Sequence, residues 1–200
     1  LRKWNDASPE VAVGMEGAPG HQAAKFTTNE NKGFYPAWVF ARGAYGRGYP
    51  TMGGFDQMTA KLGGFWDSML SEGRRWWITA NSDSHIHYTE GGIDFWPGEY
   101  SKTYVFAKKH YDDIIDGIRN GRVFVTTGDL VNELYVTVSG ADHQADIGGR
   151  LTVNKNEKVT IEIRFKDPIT PNAGGNNPSV KRVDLIVGEV SGHHDDLSTD

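Results

Sequence analysis

The sequence contains no cysteine, and this absence excludes several kinds of chemistry. A thiolate nucleophile, a disulfide framework and a cysteine-ligated zinc or iron–sulfur site are all ruled out. Any bound metal must therefore be held by histidine, carboxylates, other oxygen donors and water. The lack of cysteine is compatible with a reducing or an oxidising compartment, so it leaves the compartment open.

Long apolar runs and an excess of positive charge are also missing. No segment approaches the roughly 18 consecutive apolar residues that a membrane-spanning helix requires. The chain has 21 Lys and Arg against 26 Asp and Glu, a net charge of −5, and no long basic cluster marks a nucleic-acid-binding face. We therefore expect no nucleic-acid partner and no membrane-spanning segment, while the oligomeric state is left open.

The chain does not begin with methionine, so we expect it to be a piece of a longer protein. A signal segment upstream of it would direct that protein to the periplasm or outside the cell.

Up to residue 130 the sequence alternates between strand and helix patterns. Strands are predicted at 11–13, 76–80, 104–106 and 122–128, and helices at 65–70 and 111–121. Gly73 and Gly121 are expected to end the two helices, and Asp112 and Asp113 suit the first turn of the second. This order of elements favours a parallel sheet with crossover helices.

From residue 131 onwards the residue pattern changes. The segments "ELYVTVSG", "KVTIEIRF" and "VKRVDLIVG" alternate apolar with polar residues and are separated by turn-forming residues. This alternation is typical of antiparallel strands. We therefore predict an α/β domain over 1–130 and a β-rich domain or extension over 131–200. The closing "SGHHDDLSTD" is interpreted as a solvated tail or a loop to a further segment.

A segment rich in glycine, proline and aromatic residues, 33–55, lies near the start of the chain. Disordered segments are usually poor in aromatic residues, so an ordered loop is expected. Its rings could wall a substrate pocket, or they could cover the exposed edge of a sheet.

Carboxylates and imidazoles follow two of the predicted strands. Asp83 and His85 come directly after strand 76–80, and Glu16 and His21 after strand 11–13. Residues two apart in an extended segment point the same way, so Asp83 and His85 could face one ion, with His87 next in the row. Each also has an ordinary interpretation, because Asp83 suits a hydrogen-bonded turn and His21 a solvated one.

The stretch "ITANSDSHIH", followed by "TYVFAKKHYDDIIDGIRNGRVFVTTGD", resembles the last third of PHP-domain metal-dependent hydrolases, particularly the branch that includes carbaryl-hydrolase-like proteins. "GMEGAPGHQ" is similar to the Glu-containing metal motif of that family. The resemblance covers roughly residues 11–130, and 79–128 carries most of its specificity. It implies a partial PHP-type (β/α) barrel followed by a small antiparallel β domain.

The resemblance also implies a ligand set for two or three divalent ions, which could be zinc, manganese or iron. Asp83 and His85 would be the C-terminal ligand pair, Glu16 the bridging carboxylate and His21 a further ligand. The His-x-His pair of the family does not occur upstream of Glu16. Either those ligands lie on a segment that this sequence does not include, or the site has degenerated.

The function implied is hydrolysis of a small-molecule ester or phosphoester by metal-activated water. Glu16 and Asp83 would be the catalytic residues. Arg42 and Arg47, by their location in the aromatic segment, and His87, next in the row after His85, are candidates for contacting the substrate. The alternative is a degenerate, non-catalytic scaffold whose β-rich part binds a carbohydrate or a protein.

Overall fold

The computed structural model describes residues 1–19, 55, 57–82, 97–98, 101–172 and 175–195. Its elements are α1 (Arg2–Ala7), β1 (Gly14–Pro19), α2 (Gln57–Ala60), α3 (Phe65–Ser71), β2 (Trp77–Asn81), β3 (Ser101–Val105), α4 (Tyr111–Arg119), β4 (Val123–Thr127), β5 (Glu133–Ser139), β6 (Gln144–Asp146) and β7 (Thr160–Lys166). The mixed α/β class is confirmed. The strands within these ranges form three small sheets and no closed barrel.

The strands β1 and β2 are parallel neighbours, as the strand–helix–strand order predicts. Gly14 is opposite Trp77 at one end of the pair, and Pro19 is opposite Asn81 at the other. Parallel strands need a crossover connection, and α2 and α3 lie within it in sequence. The buried apolar residues of the described chain all belong to this unit: Ala18, Met69, Trp76, Ile78 and Ala80.

The first strand begins later than predicted. The amides of Val11 and Ala12 donate to the Ser8 carbonyl, at 3.0 and 2.9 Å, so this segment turns after α1 instead of extending. The first backbone bond to β2 runs from the Trp77 amide to the Val13 carbonyl at 2.8 Å, and the paired register begins at Gly14. The prediction of a strand at 11–13 is therefore wrong, and Glu16 lies within β1, not after it.

The two helices predicted from apolar spacing are both present. Gly73 follows α3 with a φ of +76°, and Gly121 follows α4 with a φ of +70°, as expected of helix-ending glycines. Asp112 and Asp113 lie in the first turn of α4. The short helix α1 was not predicted.

The strands β3 and β4 pair antiparallel, so the prediction of a parallel sheet is wrong for them. The amide of Phe106, just after β3, donates to the carbonyl of Arg122, just before β4. Tyr104 and Phe124 stack across the pair with ring centroids 4.6 Å apart. The chain therefore leaves β3, passes through α4 and returns as β4, which pairs with β3. Cross-strand contacts such as this ring stacking stabilise the pair.

The Thr103 side chain of β3 bonds to the backbone of β2. The Thr103 hydroxyl accepts a hydrogen bond from the Ala80 amide and donates one to the Ala80 carbonyl, both at 2.8 Å. It satisfies backbone groups of β2 that a neighbouring strand would otherwise bond. The two small sheets are thereby held together.

We expect Thr103→Val to lower the free energy of unfolding by about 2 kcal/mol, because a group of similar shape leaves both backbone partners unsatisfied. Urea unfolding followed by tryptophan fluorescence measures the change. The control is Thr160→Val at an exposed position of β7. Equal losses in the two variants would contradict this role for the hydroxyl.

The β-rich part contains two of its three predicted strands. β5 pairs antiparallel with β6 on one side and with β7 on the other. The prediction of a strand at "VKRVDLIVG" is wrong, because residues 180–188 are assigned to no strand. Alternation favours an extended conformation, but a strand also needs a backbone partner, and this stretch has none among the described residues.

The tail after this segment is exposed, as expected of a solvated tail, but it is also bonded to α3. The amides of Ser191 and Gly192 donate to the Ser71 carbonyl at 3.0 and 2.9 Å. The Ser68 hydroxyl donates to the His194 carbonyl at 2.7 Å. Backbone bonds thus hold these residues against the helix.

Within the ranges described, no helix has the length and apolar character needed to cross a membrane.

Candidate functional site

The carboxyl ends of β1 and β2 meet at one edge because the strands are parallel. The Asn81 side-chain amide, at the end of β2, donates a hydrogen bond to Glu16 Oε1. Glu16 is exposed and is opposite Thr79 in the register. The register then shifts at Gly17, so the following residues of β1 are offset by one position. The Glu16 carboxylate therefore reaches the end of β2.

The strand β4 ends at the same edge as β1 and β2. Trp77, at the start of β2, donates through Nε1 to the Arg119 carbonyl at 3.4 Å. Arg119 precedes β4 by a few residues in the sequence. Further along β2, Ala80 is bonded to Thr103, which is opposite Val125 in β4. β2 and β4 therefore run in the same direction. The end of β2 lies on the side of the β3–β4 pair where β4 ends and β3 begins.

We call this region the carboxyl edge. Its described residues are Glu16, Asn81, Ser82, Ser101, Lys102, Thr126, Thr127 and Asp129.

Several hydroxyl groups are buried at the carboxyl edge. Ser82, Ser101 and Thr126 are all buried, and Ser101 is only 1% exposed. The Thr126 hydroxyl accepts from the Val131 amide at 3.5 Å. The Ser101 hydroxyl has no hydrogen-bond partner within the described ranges. An unpartnered buried hydroxyl costs about 1–3 kcal/mol, so this group is suited to holding a ligand or a ligating side chain in place.

An ion pair between Lys102 and Asp129 also lies at the carboxyl edge. Both side chains are about three-quarters buried. Asp129 has a φ of +55°, directly after Gly128 at +64°. A non-glycine residue in this conformation is held there by its surroundings, and such positions concentrate at functional sites.

Sequence reasoning did not single out Asn81, Ser101, Lys102 or Asp129. The rule used for Asp83, a carboxylate directly after a strand, could have found Asp129 after β4. No comparable signal marks Ser101 or Lys102, because only the pairing of β3 with β4 brings them to this edge.

Most of the predicted site residues lie outside the described part of the chain; they are His21, Arg42, Arg47, Asp83, His85 and His87. The aromatic segment 33–55 also lies outside it, except for Phe55. Glu16 is described, and Ser82, the residue before Asp83, belongs to the carboxyl edge. Among the residues that the structure describes, no group of three or more His, Asp or Glu could hold a metal ion.

A second cluster of charged groups lies away from the carboxyl edge and centres on Glu72, after α3. Its carboxylate pairs with Arg2 at 2.6 Å, with Arg74 at 2.5 Å and with His193 at 3.0 Å. Burial by itself raises the pKa of Glu72. The hydrogen bonds from His193, Arg2 and Arg74 outweigh it and lower the pKa from 4.5 to about 2. The cluster ties α1 and the tail to α3, and this role is structural.

A cleft of about 300 Å³ lies in the β-rich part, and Asp142, His143, Asn154 and Glu157 are among its lining residues. The Ala141 and Asn154 amides donate to the Glu157 carboxylate at 2.9 and 3.0 Å. These bonds lower the pKa of Glu157, so the cleft keeps an ionised carboxylate.

Comparison with protein families, with curated proteins and with solved structures finds no match to this chain.

Proposed function

We propose that the protein is a metal-dependent hydrolase that acts on phosphoesters. The observation that carries the proposal is the hydrogen bond from Asn81 to Glu16 at the carboxyl edge. Asn81 precedes Asp83 by two residues, and Glu16 and Asp83 are two of the residues that the PHP resemblance implies as ligands. In α/β proteins, reactive side chains characteristically lie where parallel strands end.

The donor chemistry of the described part of this edge fits a divalent cation. It offers the Glu16 carboxylate, the Asn81 amide oxygen and the Ser101 hydroxyl. Hard and borderline cations prefer such oxygen donors, together with imidazole nitrogen. In the proposal, Glu16, Asp83 and His85 hold the ions, and His21 adds a further ligand.

Two or three divalent ions, when bound, make hydroxide available near neutral pH and polarise the phosphoryl oxygen. The protein side chains position the reactants. Asn81 orients Glu16 by donating to one carboxylate oxygen. Asp83 would complete the ligand cage or accept the proton of the attacking water.

Negative charge develops on the phosphoryl group and requires positive groups nearby. Arg42, Arg47 and His87 have this role in the proposal. Lys102 adds a cation at the carboxyl edge, where Asp129 holds its position. Related ester bonds, such as carbamates and carboxyl esters, could be cleaved by the same residues, because the ligands alone do not select the substrate.

We test the proposal by measuring metal content with inductively coupled plasma mass spectrometry. Protein as expressed is expected to contain at least one equivalent of zinc, manganese or iron, and Asp83→Ala/His85→Ala less than a tenth of that. The matched control is His110→Ala/Asp112→Ala, which removes the same residue types from side chains that are 68% and 84% exposed. The control is expected to keep its metal and to hydrolyse p-nitrophenyl phosphate.

Metal that remains in Asp83→Ala/His85→Ala would overturn the assignment of the ligands. A chain that contains no metal, even after incubation with each of the three ions, would overturn the proposal as a whole.

The cleft in the β-rich part favours a second candidate, a non-catalytic scaffold that binds a carbohydrate or protein there. In that case ligand binding would be lost in Glu157→Gln and retained in Asp83→Ala/His85→Ala. Binding assays on these two variants therefore separate the two functions.

A further inference from the structure

The strongest feature outside the proposed site is an exposed segment, residues 181–190. All ten residues are exposed. Within the described part of the chain, none of their backbone groups makes a hydrogen bond. Five of them carry large apolar side chains that are at least half exposed: Val183, Leu185, Ile186, Val187 and Val190. Such a stretch can form backbone bonds with another strand along its whole length.

The segment is anchored at both ends. The Val180 amide donates to the Asp167 carboxylate at 2.9 Å. At the other end, the Ser191 and Gly192 amides donate to the Ser71 carbonyl. A segment whose ends are fixed loses less conformational entropy when it pairs than a free tail does. The anchors therefore favour binding by the residues between them.

The residue pattern suits a strand with one apolar face. Val183, Leu185 and Val187 are spaced two apart and would lie on the same side of a strand. Arg182, Asp184 and Ile186 would lie on the other side, where the side chains of Arg182 and Asp184 already bond at 2.8 Å. Valine and leucine flanked by charged residues are typical of a half-buried strand.

The pattern is also complementary to itself. When two copies of the segment run antiparallel with Leu185 opposite Leu185, Val183 falls opposite Val187 and Lys181 falls opposite Glu189. The apolar side chains then face one another, and a salt bridge closes each end. The two-fold symmetry of a homodimer requires that every such pair occurs twice.

We propose that residues 181–189 form a strand through which two copies of this chain pair antiparallel, with Leu185 on the two-fold axis. The proposal is independent of the hydrolase function. Two paired strands bury less than the roughly 1,600 Å² of a standard interface, and we expect a weak dimer with a dissociation constant on the order of micromolar. The competing partner is the outer edge of β7, which would leave the chain monomeric.

The first test uses the absence of cysteine. In Leu185→Cys the two thiols of a dimer face each other, at a separation of Cα atoms that a disulfide spans. Mild oxidation is expected to give a covalent dimer at least tenfold faster than in the control Ile169→Cys, whose side chain is 91% exposed and lies outside the segment. Equal rates in the two variants would overturn the proposal.

The second test exchanges the charges. Lys181→Glu puts two carboxylates opposite each other at both ends, and sedimentation velocity is expected to show about tenfold weaker dimerisation. Lys181→Glu/Glu189→Lys restores both pairs and the net charge, so its dissociation constant is expected to return to within about threefold of the original. Circular dichroism checks that the variants are folded. A chain that is monomeric at all concentrations up to about 100 µM, or a dimer unaffected by Lys181→Glu, would overturn the proposal.

Discussion

Replacing Gly121 with alanine is expected to lower the free energy of unfolding by about 3–4 kcal/mol. Gly121 has a φ of +70°, which costs an alanine about 1 kcal/mol. A Cβ at this position would also lie 2.3–2.5 Å from atoms of the Trp77 ring. The ring is held by its hydrogen bond to the Arg119 carbonyl and by Arg75, whose guanidinium lies 5.6 Å from it. Relieving the overlap costs a further 2–3 kcal/mol or so.

The control for this variant is Gly175→Ala. Gly175 has a nearly identical φ of +75°, and no atom of the described residues lies within 4 Å of the position that its Cβ would occupy. It therefore measures the backbone cost alone, expected to be about 1 kcal/mol. Urea unfolding of both variants gives the two values. Equal losses would mean that the Trp77 ring does not pack on Gly121.

Acid is expected to remove the stability that the Glu72 cluster provides. The pKa of this carboxyl is about 2 in the folded protein and 4.5 in the unfolded chain. A lowered folded pKa contributes stability that is fully present above the unfolded value and is lost as the pH falls from about 5 towards 2. The side chain is only 10% exposed, and the difference corresponds to about 3 kcal/mol.

The variant Glu72→Gln separates this contribution from those of the other carboxyls. It is expected to be about 3 kcal/mol less stable than the original protein at pH 7 and nearly equal to it close to pH 2. The control Glu162→Gln removes a carboxylate that is 63% exposed and paired with Arg164, where a loss below about 1 kcal/mol is expected at any pH. Urea unfolding at several pH values measures all three proteins. A deficit in Glu72→Gln that does not change with pH would contradict the lowered pKa.

Local structure could be predicted where the signal lies in neighbouring residues. The helix ends at Gly73 and Gly121 and the acidic first turn of α4 all follow from short patterns. Apolar spacing and turn-forming residues act over a few positions, so the sequence displays them directly.

Pairing between distant segments could not be predicted in the same way. The prediction of a parallel sheet is correct for β1 with β2 and wrong for β3 with β4. The segment 180–188 has the alternation of a strand and yet forms none among the described residues. The direction and the partner of a strand depend on which strand edges are available in the folded protein. Apolar–polar alternation in the sequence is the same whichever partner is chosen, so it does not predict the pairing.

For the candidate site, too, the sequence determined some features and the tertiary structure determined others. The sequence by itself determined the donor types, since the lack of cysteine leaves histidine, carboxylates and other oxygen donors, and it marked Glu16 and Asp83 as carboxylates near strand ends. Only the tertiary structure decided that Glu16 bonds to Asn81 and that Ser101, Lys102 and Asp129 belong to the same edge. These contacts join positions far apart in the chain, and strand pairing alone brings them together.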